Sequence, residues 1–100
     1  MSAPLFIGLA ELELHLPAAR SLKDKRQEIR SLIDRLRHRL SLLVVERDHQ
    51  DLHQRSALAM AAFATEAEAA RMTVERGLDL VHQNFDGMVL DEHVEVVQVR

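Results

Sequence analysis

The chain has 100 residues, enough for one domain with a single hydrophobic core, and its formal net charge is −3. It has no cysteine, which excludes disulfides and thiolate chemistry, and no apolar run is long enough to span a bilayer. The first residues lack a basic segment followed by an apolar one, so we expect a cytoplasmic protein without a secretory signal.

The charge is unevenly distributed along the chain. Residues 20–39 contain eight basic and three acidic residues, whereas the rest of the chain contains five basic and 13 acidic residues. This polarity favours an anionic partner for the basic segment. The alternative is a solvated helix face whose charges only keep the protein soluble.

The first part of the chain predicts a strand and then a helix. Alternation of side chains predicts a strand over residues 5–16, which Pro17 ends. Ser21 and Asp24 are spaced as in a capping box and predict the start of a helix. Apolar residues at helical spacing predict its buried side: Leu22, Ile29, Leu32, Ile33, Leu36 and Leu40.

The middle of the chain predicts a hairpin of two strands. Residues 42–47 and 56–64 are short apolar runs, and the polar segment 48–55 lies between them. The second run is rich in alanine, which is weak strand chemistry. We still interpret it as a strand, because turn residues flank it and it has neighbouring strands to pair with.

The last part of the chain predicts a second helix and a final strand. Thr65 and Glu68 are spaced as in another capping box, and a helical apolar pattern follows them. Gly77 within this helix would permit a close approach to the sheet, and Gly87 suits the helix C-terminus. Residues 88–99 are rich in valine and predict the last strand.

The order strand, helix, two strands, helix, strand predicts a single ferredoxin-like α+β domain, βαββαβ, over residues 1–100. Right-handed crossovers then place the first and third strands at the centre of a four-stranded antiparallel sheet, with both helices on one face. Leu5, Ile7 and Leu9 lie on the opposite, open face. We expect this apolar surface to form a homo-oligomer.

The polar segment contains two histidines that could bind a metal ion. His49 and His53 are four residues apart, with Asp48 and Asp51 beside them. In a helical turn both imidazoles would share one face and could bind a divalent metal. The spacing indicates no third ligand, so we predict no bound metal and no cofactor.

A second titratable group alternates along the first strand. Glu11, Glu13 and His15 share one strand face, and His93 and Glu95 of the neighbouring last strand could join them. This group is a candidate acid/base site, although the solvated face of a sheet gives the same pattern. The chain has neither a phosphate-binding glycine loop nor a nucleophile motif, so we assign no catalytic residue.

Two motifs carry a resemblance to a known family. The first is S-L-K-D-K-R over residues 21–26, and the second is D-x-Q-D-L-x-Q-R over residues 48–55. Together they resemble the YlxP-like family of small bacterial proteins of unknown function. The resemblance implies a ferredoxin-like fold, and the genes of that family often lie near those for translation and ribosome-maturation factors. His53 stands where that family often has tryptophan.

We therefore expect a non-enzymatic accessory factor for RNA or the ribosome. The first helix would contact phosphates through Lys23, Lys25, Arg26, Arg30 and Arg37. The polar segment would contact RNA or a protein through Asp48, Gln50, Asp51, Gln54 and Arg55. If Arg55 pairs with Asp48 or Asp51, its loss would also loosen the segment. One alternative is a metal-dependent or acid/base enzyme that uses the histidine pair or the group on the first strand. Another alternative is a structural homo-oligomer.

Overall fold

The computed structural model describes residues 2–100, and its elements follow the predicted order. They are β1 (Phe6–His15), α1 (Leu22–Leu40), β2 (Leu43–Asp48), β3 (Arg55–Ala64), α2 (Ala67–Asn84) and β4 (Met88–Gln98). Most strand ends lie one residue away from the predicted ones, and the others coincide with them. Within residues 2–100, no helix combines the length and the apolar character needed to cross a membrane.

The four strands form one antiparallel sheet in the order β2-β3-β1-β4, so the predicted ferredoxin-like fold is confirmed. β1 and β3 lie at the centre and pair in continuous register from Phe6 opposite Ala64 to His15 opposite Arg55. The pairing of β1 with β4 shifts after Glu13, and this irregularity bends β4 locally.

Alternating residues of the two central strands form the core with the helices. On β1, Ala10, Leu12 and Leu14 are buried, and β3 contributes Leu58 and Met60. The helices bury one side each, with Ile29, Leu32, Leu36, Val74, Leu78 and Val81. Removal of this apolar surface from water is the main favourable contribution to folding. The odd-numbered residues of β1 face the other way, so one face of the sheet stays open.

Two glycines let α2 lie close to the sheet. A Cβ at Gly8 would overlap the backbone of α2, with the carbonyl carbon of Ala70 at 2.7 Å. A Cβ at Gly77 would overlap side chains of the sheet side, with Leu42 Cδ1 at 2.7 Å. The close approach predicted at Gly77 is confirmed, and Gly8 provides a second one.

The start of α1 is as predicted, because the Asp24 amide donates to Ser21 Oγ over 3.1 Å. The Asp24 carboxylate in turn accepts from the Arg20 amide at 3.0 Å, so the two side chains satisfy donors on both sides of the helix start.

The predicted ends of α2 are wrong. The N-cap is Glu66 rather than Thr65, and its side chain makes no capping hydrogen bond. The helix ends at Asn84, and its C-cap is Phe85 in an extended conformation, so Gly87 does not cap it. Gly87 instead lies against the His15 carbonyl, where a Cβ would overlap.

Candidate nucleic-acid interface

Lys25 was predicted to contact phosphates from the surface, but its side chain lies inside the protein. Its side chain is 0% exposed, and its Nζ donates to the carbonyl oxygens of His49 (2.7 Å), Gln50 (3.2 Å) and Arg55 (3.3 Å). Nζ also lies 3.1 Å from Glu46 Oε2. An ammonium has three donors, so this site satisfies all of them. The prediction that Lys25 contacts phosphates is therefore wrong, because Lys25 holds the polar segment from inside.

Glu46 completes this buried site. Its carboxylate accepts from Ser56 Oγ at 2.6 Å in addition to the ion pair with Lys25. Ser56 is itself fully buried, and Glu46 is mostly buried, with 19% of its side chain exposed. Because partners surround each polar group, the ion pair can lie at the end of the hydrophobic core.

The segment 48–55 is anchored at both ends and in the middle. The Leu52 amide donates to the His49 carbonyl at 3.0 Å, which closes a turn, and His49 has a positive φ of 63°. Gln54 Nε2 donates to the carbonyls of Pro17 and Ala19, both at 3.4 Å. Of the predicted contact residues, Asp48, Gln50, Asp51 and Gln54 are exposed and Arg55 is half-buried. Asp48 accepts from the His49 amide, and Gln50, Gln54 and Arg55 donate from their side chains within the chain.

Arg55 belongs to a polar group on the open face of the sheet. Its Nη2 donates to Glu13 Oε2 at 3.0 Å, so its partner is Glu13 and neither Asp48 nor Asp51. The same carboxylate oxygen lies 3.1 Å from His49 Nε2. This contact turns His49 toward the sheet.

The two histidines of the segment do not come together. His49 contacts the sheet, whereas His53 lies exposed in a bend. The residues between them form a single tight turn, so they lack the helical turn that a shared metal face requires. Among residues 2–100, no three His, Cys, Asp or Glu side chains are grouped closely enough to hold a metal ion.

The group predicted on β1 lies together on the open face. Glu11 is opposite His93 in the pairing with β4, and its carboxylate accepts from Arg47 Nη1 at 3.2 Å. His15 Nδ1 lies 3.1 Å from the Gln54 carbonyl. The cleft beside Glu11 and His93 has a volume of only about 60 Å³, whereas ligand sites usually measure roughly 300–1,000 Å³.

Four exposed cations lie on one side of α1. They are Lys23, Arg26, Arg30 and Arg37, and we call them the basic stripe. Their spacing of three, four and seven residues places them above one another on the helix. At a rise of about 1.5 Å per residue, the stripe is about 21 Å long. None of the four takes part in the ion pairs found among residues 2–100.

A groove runs between the basic stripe and the edge strand β2. Its volume is about 380 Å³, and Arg26, Arg30 and Arg37 are on its helix side. Ile33 and Val44 are among the aliphatic residues that also line it. Asp34 and Glu46 line it as well, so the groove combines an apolar lining with three cations and two carboxylates.

Arg37 and Gln50 cover the outer side of β2. Arg37 Nη2 donates to the Val44 carbonyl at 2.7 Å, and Gln50 Nε2 donates to the Glu46 carbonyl at 3.3 Å. Carbonyls two residues apart in a strand point to the same side, so both belong to the edge that faces away from β3. Unpaired edge groups template further strands, and these two side chains occupy them.

A different cavity lies on the other side of α1. It measures about 300 Å³ and is lined by Glu28, Arg35, Asn84 and Asp86, among others. Burial, together with the nearby Asp86 carboxylate, raises the pKa of Glu28. Arg35 Nη1 donates to Asn84 Oδ1 at 3.2 Å and links the two helices across this cavity.

A comparison with protein families matches residues 7–94 to the model described as "Protein of unknown function (DUF503)". The chain belongs to the DUF503 family. No curated protein matches this DUF503 chain.

Among solved structures, the DUF503 chain is similar to one titled "De novo designed protein Foldit4". The two are 13% identical, with a TM-score of 0.55 over 96% of this chain and 99% of the designed one. At this identity the similarity supports the fold alone.

The sequence of this DUF503 chain contains a signal for the buried position of Lys25. Lys25 precedes Ile29, Leu32 and Leu36 by four, seven and eleven residues, which is the spacing of the buried side of α1. Its position on that side indicates a buried side chain. The prediction relied on its charge and not on its place on the helix.

Proposed function

We propose that this DUF503 protein is a non-enzymatic RNA- or ribosome-associated factor of the cytoplasm that binds phosphates through the basic stripe. The observation that carries the proposal is the alignment of four exposed cations, outside any ion pair of residues 2–100, on one side of α1. Lys and Arg side chains that neutralise phosphates supply most of the sequence-independent affinity for nucleic acids. The resemblance to the YlxP-like family agrees with a role near the ribosome.

Helix stability alone gives no reason for the first cation of the stripe. Lys23 lies in the first turn of α1, where the positive end of the helix dipole disfavours a cation. Arg37 is different, because it lies in the last turn and donates to the Val44 carbonyl. We therefore assign three phosphate contacts to Lys23, Arg26 and Arg30, with Arg37 at the far end of the groove.

Three contacts predict a specific dependence on salt. Each phosphate contact with a single strand contributes about −0.7 to the slope of log K against log salt, so the slope should be about −2. Such binding is weak at physiological salt and carries no sequence information. The exposed part of the segment 48–55 would then add contacts to a specific RNA or protein.

The test is a salt titration of binding to single-stranded fragments of host ribosomal RNA. The double variant Lys23→Gln/Arg30→Gln should flatten the slope to about −0.7, because one contact remains. The matched control is Arg71→Gln/Arg76→Gln, which removes the same charge from exposed positions on α2. The control should keep the wild-type slope. Equal slopes for the two double variants, or no binding at low salt, would overturn the proposal.

A further inference from the structure

The open face of the sheet is divided into an apolar half and a charged half. We define the apolar half by the outward residues nearest the N-terminus of β1, namely Ile7, Leu9, Leu43, Val45, Ala59, Ala61, Phe63 and Val97. Three of these large side chains are more exposed than buried, with Phe63 at 64%, Leu43 at 63% and Val45 at 57%. The charged half contains Glu11, Glu13, Arg55, Asp91 and His93, and Glu95 lies beside Leu9 at the β4 edge of the apolar half. A contiguous apolar patch of this kind marks an interaction surface.

The apolar half has a trough and a projecting ring. Ala59 and Ala61 are small, and Leu9, Leu43 and Val45 rise on either side of them. The resulting trough has a volume of about 200 Å³ and an almost wholly apolar lining. An apolar cavity of about 150 Å³ can hold benzene, so the trough has room for a phenyl ring.

Phe63 provides such a ring on the same strand. It lies two residues after Ala61, so its side chain points to the same face one level further along β3. Its exposure leaves a large apolar group beside a complementary trough. In an isologous contact, residue i of one copy contacts residue j of the other, and residue j of the first copy contacts residue i of the second. A surface that carries both a projecting side chain and a cavity of matching size can form such a contact.

The edges of the sheet are less suited to self-association than the face. Arg37 and Gln50 occupy the outward carbonyls of Val44 and Glu46 on the β2 edge. The other edge, β4, is interrupted by an irregularity where its pairing passes from Asp91 to Val89. It also carries Asp91, Glu92, His93 and Glu95. Bulges and charges are features that discourage pairing between edges.

The size of the apolar half limits the strength of the dimer. Four strands about 4.8 Å apart and ten residues of about 3.3 Å each give a whole face of roughly 600 Å², of which the apolar half is roughly 300 Å². A standard interface buries about 800 Å² per partner. The contact is therefore of the small, transient class, and we expect dissociation in the high micromolar range or above.

We propose that a second copy of this chain covers the apolar half, with the Phe63 ring of each copy in the Ala59–Ala61 trough of the other. The two-fold axis lies parallel to the sheets, perpendicular to the strands and between the levels of Ala61 and Phe63. This axis brings the apolar halves together, leaves Glu95 at the rim along the β4 edge, and sends the charged halves to opposite ends. Both basic stripes stay on the outside, because α1 packs on the other face of each sheet, so the dimer does not depend on RNA binding.

The first test compares substitutions at two leucines by sedimentation velocity, over a series from about 10 μM to about 1 mM protein. Wild type should sediment as a dimer at the higher concentrations. Leu43→Lys should raise the Kd at least about tenfold, because it places a charge in the contact. The matched control is Leu52→Lys, the same substitution at a leucine that is 51% exposed in the segment 48–55. Leu52→Lys should leave the Kd unchanged.

The second test addresses the trough itself. Ala61→Leu adds apolar surface but fills the trough, so it should weaken the dimer as Phe63→Ala does. A generic hydrophobic contact would instead be strengthened by Ala61→Leu, which would overturn the assignment of Phe63 to the trough. A monomeric wild type at the highest concentration, or a dimer that survives Leu43→Lys, would overturn the proposal as a whole. Circular dichroism of each variant checks that its fold is intact.

Discussion

Lys25→Met removes an ammonium group and keeps an unbranched side chain of similar length. Methionine has nearly the helix propensity of lysine, so the change leaves α1 itself almost unaffected. The lost interactions are the three hydrogen bonds to the carbonyls of His49, Gln50 and Arg55, and the ion pair with Glu46. Each of these groups then faces an apolar thioether in place of a donor.

The expected loss of stability is large for this domain. Removal of one partner of a buried ion pair costs about 3–5 kcal/mol, because the other charge is left without compensation. Glu46 keeps its hydrogen bond from Ser56 and a small exposed fraction, so we expect about 3 kcal/mol. The total free energy of unfolding of such domains is about 5–15 kcal/mol. At about 4–8 °C per kcal/mol, the Tm should fall by at least about 12 °C.

Urea unfolding at neutral pH, followed by circular dichroism, measures this difference. The control is Lys23→Met, which makes the same substitution two residues earlier on the exposed side of α1. That control should lie within about 0.5 kcal/mol of wild type, as surface substitutions usually do. If the free energy of unfolding of Lys25→Met is within about 1 kcal/mol of that of the control, then the buried site does not hold the segment 48–55 as we infer.

Three further predictions concern other parts of the structure. Because burial and Asp86 raise the pKa of Glu28, its folded form disfavours ionisation, and stability is lost as the pH rises through that pKa. Glu28→Gln should thus match wild type at about pH 3 and have the higher Tm at about pH 7. Gly8→Ala should cost about 1–3 kcal/mol in urea unfolding, because its Cβ would overlap the Ala70 backbone. Elemental analysis of untagged protein should find no stoichiometric zinc, because the segment 48–55 brings together too few ligands.

The fold could be predicted because its signals are local and agree with one another. Alternation on β1, the cap at Ser21 and the helical apolar spacing each depend on residues close in sequence. The alanine-rich β3 had weak intrinsic propensity and was recognised only through its place between turn residues. The cap expected at Thr65 is wrong by one residue, because a capping-box spacing also fits next to the true N-cap, Glu66, and helix bounds are the least specific part of a local pattern.

The candidate site was less predictable because its contacts are distant in sequence. Arg55 meets Glu13 across 42 residues, and no spacing within the segment 48–55 indicates that partner. Lys25 reaches three carbonyls that lie 24 to 30 residues away. The type of a charged residue indicates what it can bind, whereas its position in the fold decides whether it is accessible.

The hydrogen bonds that cover the β2 edge affect how the protein aggregates when it unfolds. Both covering donors come from other segments, Arg37 from α1 and Gln50 from the turn after the strand, so the closure exists only while those segments are docked. Partial opening that detaches α1 frees the outward backbone carbonyl of Val44, in a strand that begins with the apolar run Leu43, Val44 and Val45. Such an open form can recruit strands from other molecules before it refolds. Heating at high concentration should therefore give aggregation that sets in with the detachment of α1, and the apparent Tm should depend on scan rate.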